Sequence, residues 1–146
     1  MELETVEVKI KLMEGGMLPS YTREGDACLD CHARIGSDFI QVPARTRCLV
    51  NLGFALELPE GWEAVIRPRS GLTKIAVDNG IGTIDHGYTG EVKACVINNG
   101  EDAFEIKKGD RICQMAIRRA PKVIFKVVDE LSETSRGANG FGSSGM

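Results

Sequence analysis

An all-β domain is what the sequence predicts, on three observations. Apolar side chains recur with period two, no long window keeps a helical apolar period, and turn-forming residues interrupt the chain at short intervals. The first stretch sets the pattern. Val6, Val8, Ile10 and Leu12 alternate with Glu7, Lys9 and Lys11, which places every second side chain on one face of a half-buried strand. Further strand-like runs span 47–56, 62–67, 91–98, 104–107, 112–117 and 122–128. Turn chemistry bounds them: Leu-Pro-Glu-Gly at 58–61, Asn-Asn-Gly at 98–100, Lys-Gly-Asp at 108–110 and Ala-Pro at 120–121. At most a short helix is expected after Ser70, around 71–76. Short strands at near-regular spacing point to a sandwich, jelly roll or barrel.

The chain has 146 residues, enough for one domain around one core. Its 42% hydrophobic and 27% charged residues are a globular composition and not a disordered one. With 18 basic against 21 acidic residues the net charge is −3, which argues against binding a nucleic-acid backbone. A small polyanion remains open to it, because a few local cations suffice. The acidic, alternating N-terminus resembles neither a signal nor a transit peptide, and no apolar run approaches the roughly 18 residues of a membrane span. Cys28, Cys31, Cys48, Cys95 and Cys113 are odd in number and scattered, so the expectation is reduced thiols in a cytoplasmic protein with no membrane partner.

Composition changes after residue 128. Residues 129–146 hold four glycines and four serines, with Leu131 and Phe141 as the large apolar side chains before the terminal Met. Such a segment buries too little to offset its ordering entropy and should be mobile when free. A frayed tail is one reading. Arg136 and Phe141, set among residues permissive for a nest of backbone N–H groups, suggest another: a cation and an aromatic face for a nucleotide's phosphates and base.

Four further segments carry possible chemistry. In Pro68-Arg69-Ser70-Gly71-Leu72 the proline ends a strand, and a guanidinium fork and a hydroxyl follow for phosphate oxygens. An ordinary turn with a solvated arginine is the plainer alternative. In the segment 82–90, Gly87 and Gly90 mark a tight hairpin with Asp85 at its mouth and Tyr88 three residues on, either a turn or a general base beside a stacking platform. Gln114 falls between large apolar residues, where an amide needs a specific partner in the core or in a ligand. Cys28-Leu29-Asp30-Cys31-His32 matches the haem-attachment pattern C-x-x-C-H, and zinc is a second possibility. No second C-x-x-C or H-x-x-x-H pair completes a zinc site, so the cysteines are expected to be small apolar fillers of a strand.

Taken together and in order, five segments resemble the motifs of the trimeric dUTPase family over nearly the whole chain. They are Ala27–Ala33, Pro68–Leu72, Gly82–Val92 with Asn79 just upstream, Gly109–Met115 and Arg136–Gly145. Departures are small: Cys28 and Cys31 flank Asp30, Asn139 stands where glycine is frequent, and Ser144 where threonine is common. The resemblance implies a distorted, β-clip-like jelly-roll subunit over 1–128, a flexible C-terminal arm over 129–146 acting as a lid, and a homotrimer with shared sites. One subunit would supply the second and fourth motifs, a neighbour the third, and the remaining one the arm.

It also implies hydrolysis of dUTP to dUMP and pyrophosphate, which keeps uracil out of DNA and supplies dUMP for dTMP synthesis. Mg2+ would bridge the phosphates, with Asp30 acting on it through water and Asp85 activating the attacking water. Arg69, Ser70, Lys93, Gln114, Arg136, Ser143 and Ser144 would serve the phosphates, and Gly71 and Gly142 join the binding set. Asn79 and the backbone of Gly82, Thr83 and Ile84 would read uracil, Tyr88 would meet the deoxyribose, and Phe141 would cover the base. Rival readings are a dCTP deaminase of the same superfamily, alone or bifunctional, and a non-catalytic protein that uses its nucleotide-bound state to bind a partner. The deaminases carry a glutamate just after the aromatic, where this chain has Thr89, with Glu91 two residues further on.

Overall fold

Alternation makes strands, and the strands pair in three sheets. In chain order they are β1 (Lys9–Leu12), β2 (Leu29–His32), β3 (Phe39–Val42), β4 (Arg47–Glu57), β5 (Trp62–Arg67), the short helix α1 (Ser70–Thr73), β6 (Val77–Asn79), β7 (Gly82–Ile84), β8 (Glu91–Asn98), β9 (Phe104–Lys107) and β10 (Arg111–Arg119). The computed structural model describes residues 2–73, 77–80 and 82–143, with 77–79 through their backbone alone. One sheet runs β1-β4-β8-β6, a second β2-β10-β5-β7, and β3 pairs with β9. Every ladder is antiparallel, as expected of a jelly roll. No helix of the described residues is long and apolar enough to cross a membrane.

Period two decides which residues enter the core. Along β8, Val92, Ala94, Val96 and Asn98 are buried while the residues between them are not. They meet Val50, Leu52, Phe54 and Leu56 of β4, Ala64 and Ile66 of β5, and Cys113 and Met115 of β10, so both large sheets face one core. The small pair adds Val42 and Ile106 to it. In β4 the burial becomes continuous from Leu52 to Leu56, because a bulge shifts the register between Asn51 and Ala55. Gly53 sits in that bulge at φ +82°, with room for no Cβ: one placed there would lie 2.6 Å from the Cα of Gly16. The bulge takes the Gly53 N–H out of the ladder, and the Glu91 carboxylate accepts it at 2.9 Å. Left bare, such a part-buried donor would cost about 1–3 kcal/mol.

Two sequence expectations need correction, and a third is met as far as the described residues reach. The run 122–128 forms no strand; Val123, Ile124, Phe125 and Val127 are exposed, Ile124 at 94%. Its β-branched and aromatic residues are those of a strand, but a strand is a pairing, and no edge of its own chain takes it up among the described residues. The hairpin expected around Gly87 and Gly90 is not a ladder: β7 pairs with β5 and β8 with β4, so the turn between them crosses from one sheet to the other. The expected helix is present as Ser70–Thr73, while 74–76 lie outside the described residues.

Asn98 is the buried polar residue of the core, and its amide is fully employed. Nδ2 donates to Val42 O at 3.0 Å and Asp102 O at 2.8 Å, and Oδ1 accepts from Gly100 N at 2.9 Å. It thereby ties β8 to β3 and to the turn before β9. Asn98→Ala should lower stability by about 2–4 kcal/mol, because it strips partners from one buried and two part-buried backbone groups. Urea unfolding should show this as a lower midpoint at an unchanged slope.

Candidate active site

Two clusters form, at opposite ends of β5. The first grows from the ladder β2-β10-β5, where Gln114 stands between Asp30 and Arg67. Its Nε2 donates to Pro68 O at 2.9 Å, the specific partner that an amide among apolar neighbours requires. Pro68 ends β5 as expected, and Arg69 turns back: its Nη1 donates to Arg111 O at 2.7 Å and its Nε lies 3.6 Å from Asp30 Oδ1. Arg111 Nη1 lies 3.5 Å from Asp30 Oδ2 and donates to Thr22 Oγ1 at 3.3 Å, while Thr22 Oγ1 donates to Asp30 Oδ2. The Asp30 side chain, 14% exposed, is therefore enclosed by two guanidiniums and a hydroxyl.

These groups line a cavity of about 510 Å³ that Ser70 also borders. Arg23, Arg69 and Arg111 face Asp26 and Asp30 there, leaving a positive balance suited to an anion. Gly71 lies exposed in α1 beside it.

The neighbouring thiols belong to the core. Cys31 stands across the ladder from Cys113, both without exposure. The hydrogen bond with Cys113, then burial, pushes the Cys31 thiol far above its ordinary range, so it is an inert filler. Burial pushes the His32 imidazole below its usual value, with Arg111 and Arg69 reinforcing and Asp30 opposing. No group of three or more His, Cys, Asp or Glu able to hold a metal ion occurs among the described residues.

The second cluster surrounds Asp85. β7 is the edge of its sheet, bonded to β5 on one side. β6 follows β8 through Asn79↔Val96, and Gly80 N donates to Cys95 O at 2.9 Å, while β7 pairs with β5 and the start of β8 with β4. Between β7 and the start of β8 lies a cavity of about 270 Å³, bordered by Gly82, Thr83 and Ile84 on one wall and by Glu91, Val92 and Lys93 on the other. Edge strands offer unpaired N–H and C=O groups, the means to read a planar polar ligand. Asp85 is exposed at the mouth, and its carbonyl accepts from Tyr88 N at 3.1 Å. Gly87, at φ +101°, makes that turn possible. His86 Nδ1 lies 2.7 Å from Leu58 O and donates to it, fastening the turn to the one before β5.

Tyr88 crosses the mouth and donates through its hydroxyl to Glu91 O at 3.0 Å. Its ring rests on Gly90, where a Cβ would come within 2.6 Å of the phenol oxygen. The Glu91 side chain points away to Gly53 N and to Arg34 Nη1, 3.4 Å distant.

One chain does not join the two clusters. Ile84 stands opposite Ala64, and Arg69 lies five residues beyond Ala64. At about 3.3 Å per residue that is roughly 16 Å, with Asp85 leaving in the other direction. Lys93 lies with Asp85 and not with Arg69. Asn79 is opposite Val96 in β6, with its side chain outside the described residues, as is all of Ser144. The arm makes local turns: Arg136 Nε donates to Asn139 O at 2.6 Å, and Ser143 N to Gly140 O at 3.0 Å. Phe141 and Gly142 both have positive φ, and Phe141 is fully exposed. Thr22 and the Glu91–Arg34 pair were not expected. A lone threonine in a loop carries no signal, and Arg111 is marked only by opening a strand after Gly109-Asp110.

Comparison with known proteins points to one family. The dUTPase family profile matches residues 15–145. The deoxyuridine 5'-triphosphate nucleotidohydrolase of Treponema denticola is 45% identical over 144 residues, 97% of this chain and 99% of its own. That of Orientia tsutsugamushi is 45% identical over 148 residues, with the same shares. In fold, the dUTPase of Staphylococcus bacteriophage 80alpha with dUpNHpp superposes at a TM-score of 0.85 and 23% identity, over 97% of this chain and 100% of its own. A mutant dUTPase of phage phi11 of S. aureus, whose structure reveals the coordination of a structural Mg(II) ion, superposes at 0.77 and 18% identity, over 88% and 100%. On a profile that spans most of its length and relatives at this identity, the chain belongs to the dUTPase family.

Proposed function

We propose that the chain hydrolyses dUTP to dUMP and pyrophosphate, with Asp85 orienting and deprotonating the water. The observation that carries this reading is the cavity between β7 and β8, walled on one side by the edge strand β7, with an exposed carboxylate at its mouth. Uracil would pair with the Gly82–Ile84 edge and Asn79. Cytosine presents a donor where uracil presents an acceptor and would leave buried groups unpaired. Tyr88 would lie against the deoxyribose and exclude a 2′-hydroxyl. The water attacks the α-phosphorus in line, a P–O bond to water forms, and the bond to the β-phosphate oxygen breaks as pyrophosphate leaves. Little covalent work falls to the protein, so positioning and charge supply the rate.

The phosphates would meet Arg69, Ser70, Gly71 and Gln114, with Lys93 beside Asp85. The donor set fits Mg2+ only in one form. Asp30 is already shared by Arg69, Arg111 and Thr22, and the described residues hold no cage of acids. An ion carried by phosphate oxygens and waters, which Asp30 reaches through water, suits both facts. When bound, it neutralises charge across the triphosphate.

Because the clusters leave opposite ends of β5, a complete site would need Asp85 of one subunit beside Arg69 and Gln114 of another. The exposed apolar run 122–128 supports a second copy as its partner. We therefore read the assembly as a homotrimer acting on free nucleotide in the cytoplasm, with residues 129–146 of the third subunit as the lid. Arg136, Gly142, Ser143 and Ser144 would close on the phosphates and Phe141 on the base. Deamination of dCTP is disfavoured: Thr89 has no carboxylate, and that of Glu91 is committed to Gly53 and Arg34.

Asp85→Asn should cut kcat for dUTP about a thousandfold. Pyrophosphate release measures it, with dTTP, dCTP and UTP as poor substrates; a wild-type rate in this variant would remove Asp85 from its role. Deleting 136–146 should lower kcat about a hundredfold while the oligomer persists on size exclusion, and an unchanged kcat would make the arm an idle tail. EDTA should abolish turnover and added Mg2+ should restore it.

A further inference from the structure

We infer that Glu91 is a positioning residue, whose carboxylate, seated between Gly53 N–H and Arg34, sets the height of the Tyr88 ring over the cavity and so the discrimination between deoxyribose and ribose. The second half rests on the sugar contact proposed above for Tyr88.

Tyr88 is 47% exposed, so burial does not hold its ring in place. Two contacts do. The ring rests on the bare Cα of Gly90, and its hydroxyl donates to the Glu91 carbonyl at 3.0 Å. The position of the ring is thus the position of the Glu91 backbone. Glu91 is the first residue of β8, where the ladder to β4 is weakest. Its pairs run to Asn51↔Lys93, break across the Gly53 bulge, and resume with Ala55↔Glu91 alone. A strand end beyond such a break is free to fray.

The Glu91 side chain spans the break. Oε2 accepts the Gly53 N–H at 2.9 Å, and both oxygens lie 3.4 Å from Arg34 Nη1. Arg34 is itself held, its Nε donating to Glu14 O at 2.7 Å and its N to Asn51 O at 2.8 Å. The carboxylate is 18% exposed, which protects the bonds from competition by water. One residue therefore joins the bulge through its side chain to the tyrosine through its carbonyl.

The chain has two tyrosines, Tyr21 and Tyr88, so 3-fluorotyrosine labelling gives two 19F resonances, assigned with Tyr21→Phe. In Glu91→Ala the Tyr88 resonance should move or broaden, and the ratio of kcat/KM for dUTP over UTP should fall about tenfold. Glu91→Gln keeps an oxygen for Gly53 N–H, so its resonance and ratio should stay within about threefold of wild type. Arg34→Met should fall between the two, and it carries the test if Glu91→Ala does not fold. A folded Glu91→Ala or Arg34→Met with an unmoved Tyr88 resonance overturns the inference, whatever its Tm. A moved ring with undiminished discrimination overturns its second half and the sugar contact with it. Absence of dUTP hydrolysis in the wild-type chain would sink the proposed reaction, and the resonance would still judge the lock.

Discussion

A strand has two ends, and β5 delivers its two functional neighbours to opposite ones. Beyond Arg67 the chain turns at Pro68 into the arginine cluster, while β7, antiparallel beside it, releases Asp85 at the far end. Hydrogen-bond register fixes this separation, and no side chain of ordinary reach closes roughly 16 Å. The rest of the site follows from that constraint. Each half is well built on its own, and each lacks what the other holds.

The two halves use different physics. At the arginine end, charge does the work: three guanidiniums face two carboxylates, and Asp30 keeps Arg69 and Arg111 in place while leaving the cavity positive. At the Asp85 end, backbone geometry does it. β7 chooses β5 over β8, and the gap that this choice opens is bordered by β7, an edge strand that has one side to offer a ligand. The charged end suits phosphates, whose oxygens are alike, and the backbone end suits a base, whose edge is specific.

Legibility in the sequence followed range. β8 was readable because Val92, Ala94 and Val96 alternate over enough residues to show a period, whereas β3, β6 and β7, of three or four residues, show none. The glycines at 87 and 90 signal a reversal truly, but not which strand lies beside β7; that was decided by Ala64, Val65 and Ile66, about twenty residues away. The run 122–128 has the composition of a strand and no partner among the described residues, and composition carries no information about partners. In the site, Asp30, Arg69, Asp85 and Gln114 stood in recognisable local settings. Thr22 on Asp30, and Gly53 on Glu91, are meetings across loops that no local window contains.

The apolar run after Pro121 has a consequence for the chain in dilution. The chain on its own displays Val123, Ile124, Phe125 and Val127 as an open apolar ribbon, with Lys122 before it and Lys126 within it as gatekeepers against sticking to the wrong neighbour. In the proposed homotrimer, colloidal safety and assembly would draw on the same residues. Newly made chains would then face a race between ordered association and aggregation, decided by their abundance in the cell.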